Sequence, residues 1–541
     1  MNIRSDLPRV APADRASTAS SGGPPAPPAR RAWRRSAPVG WARRHAVLLA
    51  VLATLVVHVM SLTRRLGADE GGFAMVAQHW QQGGRFLYGP QWVDRPPGLI
   101  ALFAAAEHLG PYGVRLGATG LAVGLVAALA WTADAVGGRP AAKWAAWAGF
   151  AFAASALLQA QRLNGELAAA TFVTVSVGAL LRAVRVSGTR HRTVALGALS
   201  GAAACLAVLM KQNFVDAFVF AAVLVGAGLA TRANRLVYRP ARALLTVVVF
   251  VAGALVPAAA TLLWALGHGG VGALAYATVW FRADASAVIA HWSFAAPMHR
   301  LERLAVLAAL SGLVLLGGHL ALSHRGRLRR LDPLPWAVTA TALVELAGVF
   351  AGENFWSHYL IGLIPMVALA AGLSVNARAP GARWTRRLVV LAAAGTAVVS
   401  PVAAVQAAQG SSEAYTTGRW VAAAAHPTDT IVVPFTHANV IDASGLTPGY
   451  PYAWSLPVRT LDPQLTLLTG TLASGSAPTW VVRWDHPHAW GLDPADRVDA
   501  ALRAHYRPVG EVCRHTVWLH DGVSRHPAAP PPASACGAGE Q

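Results

Sequence analysis

The chain alternates long apolar stretches with short charged connections. Between residues 46 and 408 the apolar residues are grouped in runs of about 20, the length of a helix that spans the hydrocarbon core of a bilayer. These runs lie at 46–62, 113–136, 142–160, 166–184, 193–210, 213–230, 241–266, 301–322, 333–351, 357–375 and 385–408. They predict a mainly α, polytopic membrane protein with about 11 transmembrane helices.

The apolar stretch Gly98–Leu109 is too short to span a bilayer unaided, and the basic residues decide how to interpret it. If this stretch does not cross, every Arg-rich connection falls on the same side as the arginine-rich N-terminus, as the positive-inside rule requires. If it crosses, all of them fall outside. We therefore interpret it as a re-entrant or surface-lying helix in a first outer loop, 63–112. The N-terminus is then cytoplasmic and the C-terminal region extracytoplasmic. The basic connections are 137–143, 182–193, 231–242, 323–332 and 376–388.

Four segments are predicted along the chain. Residues 1–42 are rich in Pro, Ala, Ser and Arg and contain too few large aliphatic residues to bury a hydrophobic core. We therefore expect a disordered cytoplasmic tail. Residues 43–408 form the transmembrane domain. Residues 409–525 are expected to form a small extracytoplasmic α/β domain, and 526–541 a second disordered tail.

The α/β prediction rests on short β-branched runs bounded by Pro and Asp, together with one helix-like stretch, Ala495–Tyr506. The runs are Thr430–Phe435, Thr479–Trp484 and Thr516–His520.

Composition excludes several classes of protein. Only 13% of the residues are charged, against about a quarter in soluble domains. The net charge of +20 belongs to the membrane part, because acidic residues outnumber basic ones after residue 409. It therefore indicates orientation rather than a nucleic-acid partner. No phosphate-binding glycine motif occurs in a strand–turn–helix setting, which argues against nucleotide chemistry.

The three cysteines are too few for a disulfide framework. Cys205 lies in an apolar stretch and is most simply a small packing residue. Cys513 and Cys536 can pair if their region is extracytoplasmic, but the expected mobility of the tail around Cys536 disfavours the bond.

Ionisable and polar residues gather at the connections assigned to the outer face. Carboxylates beside a membrane are costly unless they meet water, cations or a reacting group. A site with both acids and cations suits deprotonation of a hydroxyl beside an anionic leaving group. The candidate site residues are Asp69, Glu70, Asp94, Arg95, Arg162, Asn164, Glu166, Lys211, Glu353, His358 and Tyr359.

The first outer loop resembles a known family. Asp69-Glu70 is followed by Phe73, a helix-like stretch at 74–82, and then Asp94-Arg95-Pro-Pro-Gly. This order resembles the GT-C glycosyltransferases, especially the protein O-mannosyltransferases, the lipid A aminoarabinose transferase and their bacterial relatives. The resemblance covers the membrane part, and the C-terminal α/β region is similar to a domain of many bacterial members.

The resemblance implies transfer of a sugar from a polyprenyl-phosphate carrier to an acceptor hydroxyl on the outer face, with inversion. The acceptor is a protein, a glycolipid or a glycan. Asp69 matches the catalytic acid that deprotonates the acceptor, Glu70 matches its neighbour, and Asp94 shapes the loop. No cofactor is required, no metal ligands are assigned, and a divalent cation at the Asp site is left open by the superfamily.

Further residues are carried over with defined roles. Asn164 and Glu166 stand where many relatives have Arg-Pro-Asp. Lys211 matches a basic residue that faces the lipid phosphate, and His358-Tyr359 matches a pair near the same site. Arg95 and Arg162 are further cations available to a phosphate.

Each of these residues also has a structural interpretation. Asp69 and Glu70 suit the first turn of a helix, Asp94-Arg95 suits a local ion pair, and Lys211 suits snorkelling to the interface. Glu345, inside a predicted span, needs a partner or a cavity. The cluster Asp485-His486-Pro-His488 has no evident fourth metal ligand and is interpreted as a solvated turn.

Two other functions remain open from the sequence. A transporter or lipid flippase of envelope precursors would place ionisable residues near the bilayer midplane in paired halves, whereas these residues gather at one face. A non-enzymatic envelope assembly protein would use the outer domain to bind a partner.

Overall fold

The computed structural model describes residues 45–83, 87–185, 190–231, 240–291, 295–329, 332–376, 381–410 and 412–537. The predicted tail 1–42 lies outside the described residues, and so do parts of four predicted basic connections and the end of the chain.

The membrane region is built of helices joined by short turns. A π-helix covers Tyr276–Trp280, and 3-10 turns cover Ala156–Leu158 and Ser357–Leu363. The α-helices are α1 (Ala46–Val59), α2 (Ala68–Gly83), α3 (Pro97–Glu107), α4 (Gly113–Ala153), α5 (Gly165–Arg185), α6 (Arg190–Met210), α7 (Asp216–Thr231), α8 (Pro240–His268), α9 (Val271–Ala275), α10 (Phe281–Ala290), α11 (Ala295–Leu310), α12 (Leu313–Arg329), α13 (Pro333–Ala351), α14 (Ile364–Asn376) and α15 (Ala382–Gln409).

The chain is a polytopic membrane protein. Among the described residues, seven helices are long and apolar enough to cross a membrane, or eight if the bent pair α11 and α12 forms one span. Two further predicted spans correspond to shorter apolar helices, α1 with 14 residues and α7 with 16. The total of eleven therefore remains a prediction.

Glycines break two of the apolar stretches. Gly138, with φ 65°, interrupts α4 inside the predicted connection 137–143. Gly312, with φ 82°, separates α11 from α12, which meet at 71°. Glycine adopts positive φ without the steric cost that a Cβ imposes. The second break divides the stretch 301–322, which we predicted as one continuous span. The hydropathy pattern did not reveal this break because hydropathy does not register a backbone turn.

The short stretch of the first outer loop forms α3. Pro97 occupies the first turn of this helix, where the missing N–H of proline costs nothing. The apolar face, including Leu99, Ile100 and Phe103, is buried against α2, α4 and α6. Eleven residues do not cross a bilayer, so α3 suits the predicted re-entrant or surface-lying element.

The C-terminal region is an α/β domain with one mixed sheet. The strand order is β2-β1-β3-β5-β4, with β1 parallel to β2 and β3, and β5 antiparallel to β3 and β4. Its elements are α16 (Glu413–Ala424), β1 (Thr430–Val432), α17 (Ala438–Ser444), β2 (Thr447–Pro448), α18 (Ser455–Leu461), α19 (Thr466–Leu472), β3 (Trp480–Arg483), α20 (Arg497–His505), β4 (Tyr506–Val512) and β5 (His515–His520).

The predicted β-branched runs contain β1, β3 and β5, and the predicted helix contains α20. Strands β2 and β4 were not predicted. Strand β4 lies at the edge of the sheet and has a register shift between Pro508 and Gly510. A bulge disrupts the alternation that identifies a strand, and an edge position tolerates proline.

The segment 526–537 differs from the predicted disordered tail. Cys536 forms a disulfide bond with Cys513, the pairing that the sequence disfavoured. Trp420 Nε1 donates to the Ala528 carbonyl at 3.1 Å, and Thr416 Oγ1 donates to the Ala535 carbonyl at 3.1 Å. The crosslink and these bonds hold the segment against α16, where composition alone predicts no structure.

Replacing Cys536 with serine should destabilise the C-terminal domain by about 2–4 kcal/mol, because the loop closed by the bond becomes free in the unfolded chain. Thermal unfolding of the full-length protein in detergent measures the effect. Cys205→Ser, at the free cysteine, is the control: it keeps the disulfide bond, so its midpoint should equal that of wild type and should fall with reductant as the wild-type midpoint does. Equal midpoints for wild type with and without reductant would contradict the bond.

Candidate active site

Glu70 is buried at the start of α2 and is fully engaged. Its carboxylate forms a two-pronged ion pair with Arg115, with Nη2 to Oε2 at 2.9 Å. The backbone N–H groups of Leu163 and Gly67 donate to it at 2.9 and 3.2 Å. A buried carboxylate is stable only with such complete pairing. The helix therefore begins at 68, earlier than the predicted 74.

Arg115, which the sequence analysis did not select, holds this corner together. It lies in the first turn of α4 and also donates to the carbonyl oxygens of Arg64, Arg65 and Gln161. An arginine near the start of an apolar stretch was the available signal, because a cation there needs partners. It ties the segment before α2 to the turn before α5.

Asp69 has the opposite environment from Glu70. Its side chain is exposed, and no cation of the described residues lies within 4.0 Å of it. Its Oδ1 accepts a hydrogen bond from Trp454 Nε1 at 3.0 Å. Trp454 belongs to the C-terminal domain, so the domain contacts the candidate catalytic acid directly.

The two glycines after Glu70 let the C-terminal domain approach α2. A Cβ at Gly71 would lie 2.5 Å from the Asn439 Cβ, and a Cβ at Gly72 would lie 2.5 Å from Trp454 Cζ2. Asn439 Nδ2 also donates to the Leu66 carbonyl at 3.1 Å. Glycine costs helix stability of about 1 kcal/mol relative to alanine, so close packing explains this pair.

Asp94 and Arg95 form a local ion pair at 2.7 Å, each side chain about a quarter exposed. The Asp94 carbonyl accepts from Gln212 Nε2 at 3.1 Å, and the Arg95 carbonyl accepts from the Tyr88 hydroxyl at 3.0 Å. Burial lowers the pKa of Arg95, but the negative charges of Asp94, Asp69 and Glu166 raise it above its ordinary value overall. Arg95 is therefore a permanent cation.

A second cluster forms where α5 begins, α6 ends and the Ser357 turn starts. Lys211 Nζ pairs with the Glu166 carboxylate, and His358 Nε2 lies 3.5 Å from the same oxygen. The ammonium stands 4.3 Å from the centre of the Tyr359 ring, in the geometry of a cation–π contact. The structure thus brings together four predicted residues from three segments that are far apart in sequence.

Asn164 and Arg162 lie in the turn that leads into α5. Asn164 Oδ1 accepts from the Leu167 N–H at 2.8 Å and caps the helix, which is the common role of asparagine at this position. Arg162 is half-buried, and its Nε has no hydrogen-bond partner among the described residues. No ion pair of Arg162 occurs among the described residues either, so its guanidinium is available to an anion.

His358 is influenced by charges from both parts of the candidate site. Glu166, Lys211, Asp69 and Arg162 all lie within electrostatic range of it. Asp69 is thus on the same side of the helix bundle as Lys211.

Glu353 pairs with Arg282 of α10 at 2.9 Å. The same guanidinium donates to the carbonyl oxygens of Ala351 and Gly352, so this pair closes the turn after α13. The Arg282 guanidinium is therefore bonded to the protein itself.

Glu345, inside α13, has the partner that its position required. It lies beside Asp216 at the start of α7, and both residues are buried. Two adjacent buried carboxyl groups repel each other unless at least one of them is protonated. A Cβ at Gly362 would overlap Glu345 Oε1 at 1.8 Å, so the pair is packed against the Ser357 turn.

One group of three metal-ligating side chains occurs among the described residues, on the C-terminal domain. It comprises His486, His488 and Asp496. The predicted third member, Asp485, instead accepts hydrogen bonds from Thr436 and Trp490. No such group includes Asp69 within the part of the chain that the structure describes.

Comparison with known proteins gives the fold. No family model matches the chain, and no curated protein matches it. Two crystal structures of ArnT from Cupriavidus metallidurans are similar at 16% identity. The apo form covers 89% of this chain and 98% of its own, with a TM-score of 0.61. The form bound to undecaprenyl phosphate covers 88% and 98%, with a TM-score of 0.59.

A third similar structure is the Archaeoglobus fulgidus oligosaccharyltransferase tethered with an acceptor peptide containing the NVT sequon. It is 12% identical, covers 87% of this chain and 73% of its own, and has a TM-score of 0.51. The chain has the GT-C fold. This confirms the fold that the resemblance of the first outer loop predicted.

Breaking the buried ion pair of this GT-C fold should destabilise it strongly. Arg115→Met leaves Glu70 buried without its cation, and we expect a loss of about 3–5 kcal/mol. The thermal midpoint in detergent measures this, with Arg325→Met at an exposed position as control. A midpoint equal to that of wild type would show that the pair does not anchor α2.

Two carboxyl groups with raised pKa values meet where the C-terminal domain contacts the first outer loop. Gln78 Nε2 donates to Glu107 at 3.1 Å and to Asp442 at 3.4 Å. Burial raises the pKa of Glu107 to about 7, against the Gln78 bond that lowers it. Burial and the charge of Glu107 raise the pKa of Asp442 to about 7, again against Gln78.

This contact should weaken as pH rises. Both groups bind protons more tightly folded than unfolded, so between their ordinary values near 4 and about 7 the folded state loses stability with increasing pH. The thermal midpoint should fall between pH 5 and pH 8. The Glu107→Gln, Asp442→Asn double variant should fall less, and an equal fall would contradict the assignment.

Proposed function

We propose that this protein transfers a sugar from a polyprenyl-phosphate donor to an acceptor hydroxyl on the extracytoplasmic face of the membrane, with inversion at the anomeric carbon. The GT-C fold and its similarity to ArnT, which was crystallised with undecaprenyl phosphate, support a lipid-phosphate donor. The similarity to an oligosaccharyltransferase tethered with an acceptor peptide supports a bulky acceptor such as a protein, glycolipid or glycan.

The contrast between Asp69 and its acidic neighbours carries the proposal. Glu70, Asp94, Glu166 and Glu353 are each paired with an arginine or lysine. Asp69 is exposed and has no cation within ion-pair distance among the described residues. A general base needs a carboxylate that is free to receive a proton, and Asp69 alone of these five meets that requirement. We therefore assign Glu70 the role of an anchor rather than of a second base.

The cations of the site suit the leaving group. As the bond between the anomeric carbon and the phosphate oxygen breaks, the carrier leaves as a phosphate monoester with increasing negative charge. Arg162 is the most available cation because its guanidinium has no ion-pair partner among the described residues. Lys211 and Arg95 add positive charge, although each is already balanced by an acid.

The reaction then follows from these positions. The acceptor oxygen attacks the anomeric carbon and gives its proton to Asp69, while the bonding electrons to the phosphate oxygen leave with the carrier. A single base supplies a factor of about 10²–10⁴. Placement of the two substrates and the fixed cations must provide the rest.

We assign no metal ligand at Asp69. The neighbouring acids are paired with Arg115, Arg95 and Lys211, and we derive no step through a metal.

We also propose that the site and the C-terminal domain face the outside. The start of α5, the end of α6 and the start of the Ser357 turn meet at Glu166, Lys211 and His358. The basic connections predicted to be cytoplasmic lie at the opposite ends of these helices, as the positive-inside rule requires.

Asp69→Asn should abolish proton acceptance without disturbing the fold. We expect sugar transfer from polyprenyl-phosphate hexoses and pentoses to fall by a factor of about 10²–10⁴, with normal membrane insertion and thermal midpoint. The assay follows consumption of the lipid-linked sugar by purified protein across a donor panel.

The matched control is Asp134→Asn, at an exposed carboxylate near Arg182 and away from the site, which should keep wild-type transfer. Unchanged transfer by the Asp69→Asn variant would remove the catalytic assignment. Movement of the intact donor across a vesicle membrane, without cleavage, would favour the flippase hypothesis instead.

A further inference from the structure

Trp454 stands in an unusual position for a residue of an accessory domain. Its indole N–H donates to Oδ1 of Asp69 at 3.0 Å. The sequence analysis gave it no role, and it lies 385 residues from Asp69 in the chain. The bond uses one carboxylate oxygen, and none of the described residues is hydrogen-bonded to Oδ2.

The indole ring is fixed by packing against α2. Trp454 lies 5.4 Å from the ring of Phe73, one helical turn after Asp69, and Phe73 packs edge-on against Phe103 at 5.6 Å. The absence of a Cβ at Gly72 leaves the space that the indole fills. Because the ring is fixed, its N–H group points in one direction, toward Asp69.

The segment that carries Trp454 is also tied to the first outer loop. Trp92 pairs with Tyr452 in a parallel β-bridge, and the Trp92 N–H donates to the Pro451 carbonyl at 3.1 Å. The Trp92 ring packs against Tyr452 at 6.2 Å and against Phe281 of α10 at 4.6 Å. The segment 450–454 thus leads from the sheet of the C-terminal domain to the candidate base.

We infer that Trp454 is a positioning residue for the proposed glycosyl transfer: its indole N–H holds one oxygen of Asp69 so that the other faces the acceptor hydroxyl. The inference rests on the proposed function. It means that the C-terminal domain completes the active site rather than only covering it.

The physical effect is one of orientation. An exposed aspartate samples several rotamers, and a fixed donor restricts it to the one that is productive for transfer. This effect does not require Trp454 to touch substrate.

Trp454→Phe tests this role, because phenylalanine keeps the aromatic packing and removes the donor. We expect kcat to fall about 3- to 10-fold, the size of one hydrogen bond, while KM for the donor changes by less than about twofold. The thermal midpoint should stay at the wild-type value, whereas a purely structural role would lower the midpoint together with the amount of active enzyme. The pH–rate profile is recorded for each variant alongside kcat.

Trp490→Phe is the matched control. Its N–H also donates to a carboxylate of the same domain, Asp485, at 3.3 Å, but that carboxylate is not in the site. Its kcat and pH profile should equal those of wild type. If Trp454→Phe folds poorly, benzothienylalanine at position 454 keeps the ring shape and replaces the N–H with sulfur.

The outcomes separate the two proposals. If wild type transfers sugar and Asp69→Asn does not, but both changes at 454 leave kcat and the pH profile at wild-type values, the positioning role is overturned and the proposed function stands. If Asp69→Asn is as active as wild type, the proposed function itself fails.

Discussion

The buried ion pair between Glu70 and Arg115 is the constraint on which the geometry of the candidate site depends. Two charges in a poorly solvated corner are stable only when nearly every donor and acceptor is used, and here the backbone at Gly67 and Leu163 and the carbonyl oxygens of the 64–65 segment complete the pairing. The pair fixes where α2 begins and how it is rotated. Since consecutive helical residues point about 100° apart, anchoring Glu70 inward turns Asp69 outward.

The same helix turn must satisfy two further neighbours. Gly71 and Gly72 face the C-terminal domain at distances that no side chain would allow, and Phe73 packs between Trp454 and Phe103. The order acid, acid, glycine, glycine, aromatic therefore places an exposed carboxylate, an anchor, a docking surface and a packing contact within two helical turns. The lower helix propensity of the glycines is offset by the packing they permit.

Two charged residues of the candidate site are exceptions to its local charge pairing. Most acids of the site are neutralised locally by Arg115, Arg95, Lys211 or Arg282, which limits the cost of placing them beside a membrane. Among the described residues, Asp69 and Arg162 are left without ion-pair partners. One suits the acceptor proton and the other the phosphate, so the pattern of pairing separates the candidate chemistry from the scaffold.

The sequence by itself determined the membrane class and the small α/β domain, because hydropathy and charge placement are local patterns, and its resemblance to a known family pointed to the GT-C fold and to most residues that meet at the site. Only the tertiary structure decided that Glu70 is anchored by Arg115, that Cys536 is tied to Cys513, and that Trp454 contacts Asp69. Each joins segments far apart in the chain, and no local pattern specifies which buried charge, cysteine or indole will be brought together when the helices pack.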